Sequence, residues 1–584
     1  MFTKILDRLD FLRKIIINFF FVIFLTIFLI GLFIFPFFSD DNVDVKGHIL
    51  SLKTNDISDK NSSYLNPQSN LTIYEVVKAF EIASEDDDVE IIFIDISYLN
   101  ISSVSAYEVG KSINLLKEKG KKVIAYGDFL TQSQYLLASY ANEIILNPFG
   151  MVYLEGFKKY QIYLKEFLIN NKINVNTFVA GDYKSATEIF TNSEMSLEDK
   201  QQSKVFLTDL WNNWLLEINK NRKNLTIDIN YFINNFNDLD VNLTAAEKAK
   251  KYGLVDRILN RVELRNYFLD LNSLDQNNES ANPKILSLES YFQSKKPSES
   301  MSEKIVILNA YGEIIDGSFQ ENQIASEFFA RKIREISNDP EIKGLLLRVN
   351  SPGGSGFASE VIRQELLNLK KLGIPFIVSI SDVAASGGYW ISANANEIWA
   401  TPLSVTGSIG VFALLPSIED ALSSYGIEYD GISTTEFNPS LISNPDSNLK
   451  NYIQNYVDRA YLDFIELVSD GREIDTESVK EISNGKIWTG TQALNNGLVD
   501  NLGTQSEALN RLKEIIGNEE IEVEYLNFEQ TFLDFVRSNI FNFKSFLSLF
   551  SKELSLKDFL FEEFYFLEKN IIDLRLDCIN CSIK

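Results

Sequence analysis

The residues with the clearest capacity for chemistry lie in the stretch Ser381–Phe412, SDVAASGGYWISANANEIWATPLSVTGSIGVF. The apolar run Ile374–Ile380 leads into Ala384-Ala385-Ser386-Gly387-Gly388, and a helix-like segment follows from Tyr389 to about Ala395. A serine at a strand-to-helix turn, flanked by small residues, is sterically open to a substrate. The first N–H groups of a helix are unpaired and carry partial positive charge, so the Gly387 N–H beside Ser386 suits a developing oxyanion. A second glycine loop, VNSPGGSG at Val349–Gly356, follows a strand and offers backbone that a ligand can approach closely. Gly353 or Gly354 is the expected second oxyanion donor. Taken singly, Ser386 reads as an ordinary helix cap and Pro-Gly-Gly as a tight turn. Together they describe half of an acyl-transfer site.

The missing half is a base. The chain has 584 residues and a single histidine, His48. A Ser-His-Asp triad would have to use it, but its position just after an N-terminal apolar segment marks it as a strand-surface residue. Histidine-rich metal sites are excluded, and neither a zinc spacing nor a phosphate-loop signature occurs, so no cofactor is expected. A serine nucleophile here needs another base, and lysine is the obvious type. Composition does not choose among the 55 Lys and Arg residues, most of which are solvated surface charges. A net charge of −26 argues against nucleic acid as a partner, because phosphate binding needs basic patches. Cys578 and Cys581 form a terminal C-x-x-C without a thioredoxin-like context, and no function is assigned to them.

Such a site must be positioned by more than one domain, because the chain is too long for a single core. Residues 1–14 carry Lys4, Arg8, Arg13 and Lys14, and residues 15–38 are almost wholly apolar. That run is long enough to cross a hydrocarbon layer of about 30 Å. Asp40, Asp41 and Asp44 follow it, so the positive-inside rule places the N-terminus in the cytoplasm and the rest of the chain across the membrane. A cleavable signal peptide is the competing reading. PFFSDD offers no small-residue cleavage site, which favours a retained anchor.

Beyond the anchor the chain is duplicated. Lys122–Pro148 matches Pro375–Pro402, pairing Tyr135 with Tyr389 and Ala141-Asn142-Glu143-Ile144 with Ala395-Asn396-Glu397-Ile398. Leu243–Ile258 resembles Trp488–Leu502 through a shared Gly-Leu-Val-Asp. Each copy alternates apolar strands with amphipathic helices, which predicts α/β architecture built from βαβ units around a largely parallel sheet. The expected units are 43–271, a polar linker at 272–303, 304–524, and a Phe-rich helical tail at 525–584. The copies diverge where chemistry would be: Gln132 stands at the position of Ser386, and Leu99-Asn100-Ile101 at that of Gly353-Gly354-Ser355.

NSPGGS, AASGGYWIS, TGSIGVF, IWTGTQALNNGLVD and, in the first copy, GDYKSATEIF together resemble the signal peptide peptidase A (protease IV) family in its long, membrane-anchored form. The likeness runs from Val43 to about Glu524 with the same internal duplication. It implies tandem Clp protease/crotonase-like domains behind an N-terminal transmembrane helix. The serine of ASGG, Ser386, would be the nucleophile, and the lysine of YKSA, Lys184, the general base. The second copy has no lysine in the corresponding region, ISTTEFNPSL, so one complete site would require both copies. Lys184 must be neutral to act, and burial between domains is expected to disfavour its charged form. Ser185 is a candidate for orienting it. The resemblance further implies a membrane-anchored serine endopeptidase of the bacterial inner membrane with periplasmic catalytic domains. Its partners would be signal peptides and other apolar peptides, and its assembly a homo-oligomer, a tetramer in the family. The alternatives are a non-enzymatic membrane scaffold and a crotonase-like acyl-CoA hydratase or isomerase.

Overall fold

Two parallel sheets, one from each copy of the duplication, form the body of the molecule, and a third sheet joins them. The computed structural model describes residues 18–19, 21, 45–59, 71–272, 282–295, 303–318, 322–432, 434–435, 440, 442–526 and 575–577. Most of the expected anchor at 15–38, part of the expected linker, and nearly all of the tail with Cys578 and Cys581 lie outside the described residues. Among the described residues no helix is long and apolar enough to cross a membrane.

The first sheet orders its six strands Arg257–Ile258, Glu143–Leu146, Lys122–Gly127, Ile91–Asp95, Ile49–Leu52 and Ile285–Ser287, all parallel. Strands such as Ile49–Leu52 and Glu143–Leu146 are buried at every residue, as a parallel sheet covered on both faces requires. Part of the stretch expected to be a polar linker departs from that expectation. It supplies the edge strand Ile285–Ser287 and the helix Leu288–Ser294, because Leu288, Tyr291 and Phe292 find apolar cover against this unit. The second sheet runs Ile487–Thr489, Val405–Gly407, Phe376–Ala385, Ile342–Ser351, Lys304–Tyr311 and Glu522–Leu526. It is parallel except at the Ile487–Thr489 edge.

The duplication is visible as repeated hydrogen bonds. The Tyr135 hydroxyl donates to the Leu254 carbonyl at 3.0 Å, and the Tyr389 hydroxyl to the Leu498 carbonyl at 2.8 Å. Asp256 accepts from the Ile144 N–H at 2.8 Å and Asp500 from the Ile398 N–H at 2.7 Å. Each of these carboxylates also pairs with an arginine, Arg222 or Arg472. The Gly-Leu-Val-Asp motif therefore fastens the helix that follows Ser386 in the second copy, and its counterpart in the first, to the adjoining strand.

The copies are bound together by a buried ionic cluster and by strand exchange. Arg348, fully buried, donates to Asp59 at 2.9 Å and to both carboxylate oxygens of Glu108 at 3.0 and 2.6 Å. Ser379 and Ser381 accept further bonds from it at 2.8 and 3.1 Å. Burial acts against the guanidinium charge, but Asp59 and Glu108 outweigh it and hold Arg348 above its ordinary pKa. In the third sheet, Asn174–Ala180 of the first copy pairs antiparallel with Val411–Ser417 of the second along its whole length. The order there is Gln323–Ala325, Glu313–Ile315, Gly353–Ser355, Arg575–Asp577, Val411–Ser417 and Asn174–Ala180.

Candidate active site

Strand exchange delivers the first copy's lysine to the second copy's serine. Four residues after Ala180 ends its strand, Lys184 Nζ lies 2.7 Å from Ser386 Oγ. Ser386 is fully buried and Lys184 is 4% exposed. Lys184 also donates to the Ser408 carbonyl and to Ser408 Oγ, both at 3.0 Å. Both of these Ser408 partners are uncharged.

Ser386 occupies the N-cap position of the short helix Gly387–Ser392, but it does not cap it. Its backbone sits at φ 56°, ψ −116°, a conformation that costs a non-glycine residue on the order of 1–3 kcal/mol and points to a functional constraint. Its N–H donates to the Gly407 carbonyl at 2.8 Å, which fixes the turn while the side chain faces Lys184. The first copy carries no such strain. There Thr131, at φ −69°, caps the helix Gln132–Ser139 through a reciprocal bond with Gln134. The side-chain carbonyl oxygen of Gln132 instead accepts from the Gly156 N–H at 2.9 Å.

The three glycines expected to form the oxyanion hole converge. A Cβ on Gly387 would stand 3.2 Å from the Gly354 amide nitrogen and 3.3 Å from Gly353 Cα. Gly354, at φ 149°, passes so close to the Ile314 carbonyl that a side chain would overlap it. The Gly353 N–H donates to Ser351 Oγ at 3.2 Å, and the Gly354 amide nitrogen lies beside Gly387.

Lys184 is buried, as expected, while the neighbouring Asp182 turns to Asn484. Ser185, the candidate for orienting the lysine, is buried and donates to Asp199 at 3.0 Å, whose carboxylate also takes Lys159 at 2.6 Å. Ala384 and Ala385, the small residues before Ser386, are fully buried at the end of the strand Phe376–Ala385. His48 stands before the strand Ile49–Leu52 of the first sheet, and the side chain that meets Ser386 is that of Lys184.

Sequence reasoning missed Ser408 and the loop Ser483–Lys486. Ser408 lies in TGSIG, where closely spaced small residues and two glycines were the available signal. The loop holds both halves of the site: the Tyr183 N–H donates to the Asn484 carbonyl at 2.9 Å, the Gly485 N–H to the Ile409 carbonyl at 2.8 Å, and the Ser408 N–H to the Lys486 carbonyl at 2.6 Å.

Beside the glycine loop a cavity of about 680 Å³ opens between Phe357, Leu367, Trp390, Val411 and Leu467. Glu360 stands in its wall. Burial acts to raise that carboxyl, but hydrogen bonds from Arg363, Gln364 and Trp390 outweigh it and hold Glu360 below its usual range.

Residues 115–274 and 368–518 match the model of peptidase family S49, so both copies of the duplication carry it. The chain is 35% identical over 455 residues to Protease 4 of Haemophilus influenzae, covering 76% of this chain and 73% of that one. It is 33% identical over 478 residues to Protease 4 of Salmonella typhi, covering 80% and 76%. Over 219 residues it is 37% identical to a putative signal peptide peptidase SppA of Enterococcus faecium, covering 36% of this chain and 63% of that one.

Proposed function

The chain belongs to peptidase family S49 and is a serine peptidase, and on that premise we propose that Ser386 is its nucleophile and Lys184 its general base. The observation that carries this assignment is the buried 2.7 Å contact between two side chains contributed by different copies of the duplication. A neutral lysine amine has two N–H donors and one lone pair. With both N–H groups directed at Ser408, the lone pair is left for the Ser386 proton.

As Ser386 Oγ bonds to the scissile carbonyl carbon, its proton passes to Lys184 Nζ. The carbonyl oxygen gains charge and is met by the N–H groups of Gly387 and Gly354, donors fixed before the reaction begins. Lys184 then returns the proton to the leaving amine as the C–N bond breaks, which leaves an acyl group on Ser386. Water attacks that ester carbonyl as Lys184 takes its proton, the acyl C–O bond to Ser386 breaks, Lys184 gives the proton back to Ser386 Oγ, and the acid product departs. Each proton transfer in this scheme uses the chain's own side chains.

Apolar peptides are the proposed substrates, cleaved signal peptides among them. Phe357, Leu367, Trp390, Val411 and Leu467 support this reading from a cavity wall that they share with Glu360, Asp463, Glu466 and Asp470, as does the name of the Enterococcus faecium relative. The remaining features belong to the same proposal: tandem Clp protease/crotonase-like domains, a retained helix at 15–38 anchoring the chain in a bacterial inner membrane, periplasmic catalytic domains, and homo-oligomeric assembly. The apolar run and its flanking charges support the anchor.

A serine-reactive phosphonate probe tests the assignment. Peptide mapping should locate the adduct on Ser386 in the wild type, and labelling should fall at least 100-fold in Lys184→Ala. An adduct on another serine would overturn it.

A further inference from the structure

One buried ion pair beside the base has no part in the proton transfers described above. Ser185, the residue after Lys184, opens the short turn Ser185–Thr187 and donates from Oγ to Asp199 Oδ1 at 3.0 Å. The same oxygen accepts from Lys159 Nζ at 2.6 Å, and Lys159 also donates to Ser203 Oγ at 3.1 Å. Only 10% of the Lys159 side chain and 5% of that of Asp199 are exposed, so salt does not screen this pair as it would a surface one. The second carboxylate oxygen, Asp199 Oδ2, is buried with no hydrogen-bond partner among the described residues. A buried acceptor left unpaired costs stability, and its retention calls for a role.

Asp199 stands in the first turn of the helix Leu197–Asn221, where the helix dipole suits a carboxylate. That helix is tied to both halves of the site. Glu188, on the segment after Lys184, accepts from the Ser196 N–H at 3.0 Å and from the Ser196 hydroxyl at 2.7 Å. Gln202 donates from Nε2 to the Ile487 carbonyl of the second copy at 2.6 Å. The helix therefore braces the turn that carries Lys184 against the strand that follows Ser483–Lys486. The other charged groups around the turn are engaged elsewhere. Asp182 accepts from Asn484 at 2.9 Å, Glu188 holds Ser196, and Lys486 lies over the Tyr183 ring at 5.2 Å. Tyr163 stays uncharged, because burial, then Asp199 and Glu188, push its hydroxyl up to about 12.

We propose that Asp199 is a positioning residue for the base, acting through Ser185, and that Lys159 cancels the carboxylate's charge so that it does not hold Lys184 in its protonated form. The proposal rests on the reading of Lys184 as general base. A lone carboxylate near a lysine favours the ammonium, and more strongly where water is excluded. Lys184 must be an amine to take the Ser386 proton. A buried ion pair supplies the acceptor that Ser185 uses without that penalty. The pair also gives each variant a sign: loss of the carboxylate leaves a cation near the base, and loss of the cation leaves an anion.

The test reads kcat, KM and the acid limb of the kcat/KM profile against pH, with the full-length protein and a synthetic signal peptide. Asp199→Asn leaves Lys159 unopposed and should move the acid limb down by roughly 0.5–1 pH unit. Lys159→Met leaves Asp199 unopposed and should move it up by a similar amount. Asp199→Asn combined with Lys159→Met buries no lone charge and should return the limb close to its wild-type position. Ser185→Ala changes no charge. It should lower kcat roughly tenfold or more, with KM changed less than twofold and the limb in place, and it carries the test if a single charge variant fails to fold. Acid limbs that coincide in the two single charge variants, or that move the same way, would overturn the proposal. So would wild-type kcat in Ser185→Ala. Failure of the base assignment would show instead as activity surviving in folded Lys184→Ala, so the two failures are distinguishable.

Discussion

Gly485 stands directly against Lys184: a Cβ built on it would lie 2.4 Å from the lysine's backbone nitrogen and 2.8 Å from its Cα. The glycine, at φ 83°, belongs to the second copy and the lysine to the first, so the base is positioned across the join by a contact that no side chain permits. Gly485→Ala should displace Lys184 from Ser386. We expect kcat to fall at least tenfold with KM changed less than twofold, in a protein that still melts cooperatively. Steady-state kinetics with a peptide substrate, beside a thermal melt, checks this. Unchanged kcat would mean that the loop does not position the base.

Ser408 holds the lysine amine through its carbonyl and its hydroxyl. Ser408→Ala removes one of these bonds and leaves the other. Its predicted effect is a loss of about 10²–10³ in kcat, the size typical of disturbing one positioned group in a proton-transfer site. Because the amine must be unprotonated to accept the Ser386 proton, the change should appear in the acid limb of the kcat/KM profile as well as in its maximum. A uniform loss with no change in the shape of the profile would reduce Ser408 to a packing role.

Arg348 is fully buried and faces two carboxylates of the first copy. Arg348→Met would leave Asp59 and Glu108 buried without their cation. Removing one partner of such a cluster typically costs about 3–5 kcal/mol. Urea denaturation should show the unfolding free energy falling by an amount in this range. A value within about 1 kcal/mol of wild type would show that the cluster does not hold the copies together.

Glu360 provides a pH-dependent contribution with a definite sign. Its folded-state pKa is held below the ordinary 4.5, chiefly through Arg363, Gln364 and Trp390 acting against the burial penalty. The unfolded chain therefore takes up the proton first as pH falls, and stability present above 4.5 is lost as pH descends through the folded value. Glu360→Gln should flatten the acid side of a plot of melting temperature against pH while changing the neutral plateau less. Parallel curves for the two proteins would contradict this.

The chemical halves of the site were legible in the sequence because their motifs are local. Ser386, its glycine neighbours and the Gly353-Gly354 turn each announce a backbone geometry within a few residues. Lys184 was not legible in that way. Its role depends on pairing between Asn174–Ala180 and Val411–Ser417, a long-range choice that neither stretch records by itself, and only the resemblance pointed to it. Ser408 and Gly485 escaped for the same reason, since their partners come from distant chain. The duplication was legible down to individual residues, because Tyr135 and Tyr389 make equivalent bonds to equivalent carbonyls. The edge strand Ile285–Ser287 was not, because its polar surroundings masked three residues that pair only once the sheet exists.

The central claim is that one catalytic pair is assembled from both copies of the duplication. The most direct measurement is kcat/KM on a synthetic signal peptide for wild type, Ser386→Ala and Lys184→Ala, with circular dichroism confirming that all three are folded. The account predicts that both variants lose at least about 10⁴-fold, and that the double variant is no worse than either single one, because the two residues act as a unit. Retention of near wild-type activity by folded Lys184→Ala would place the base elsewhere and contradict the account.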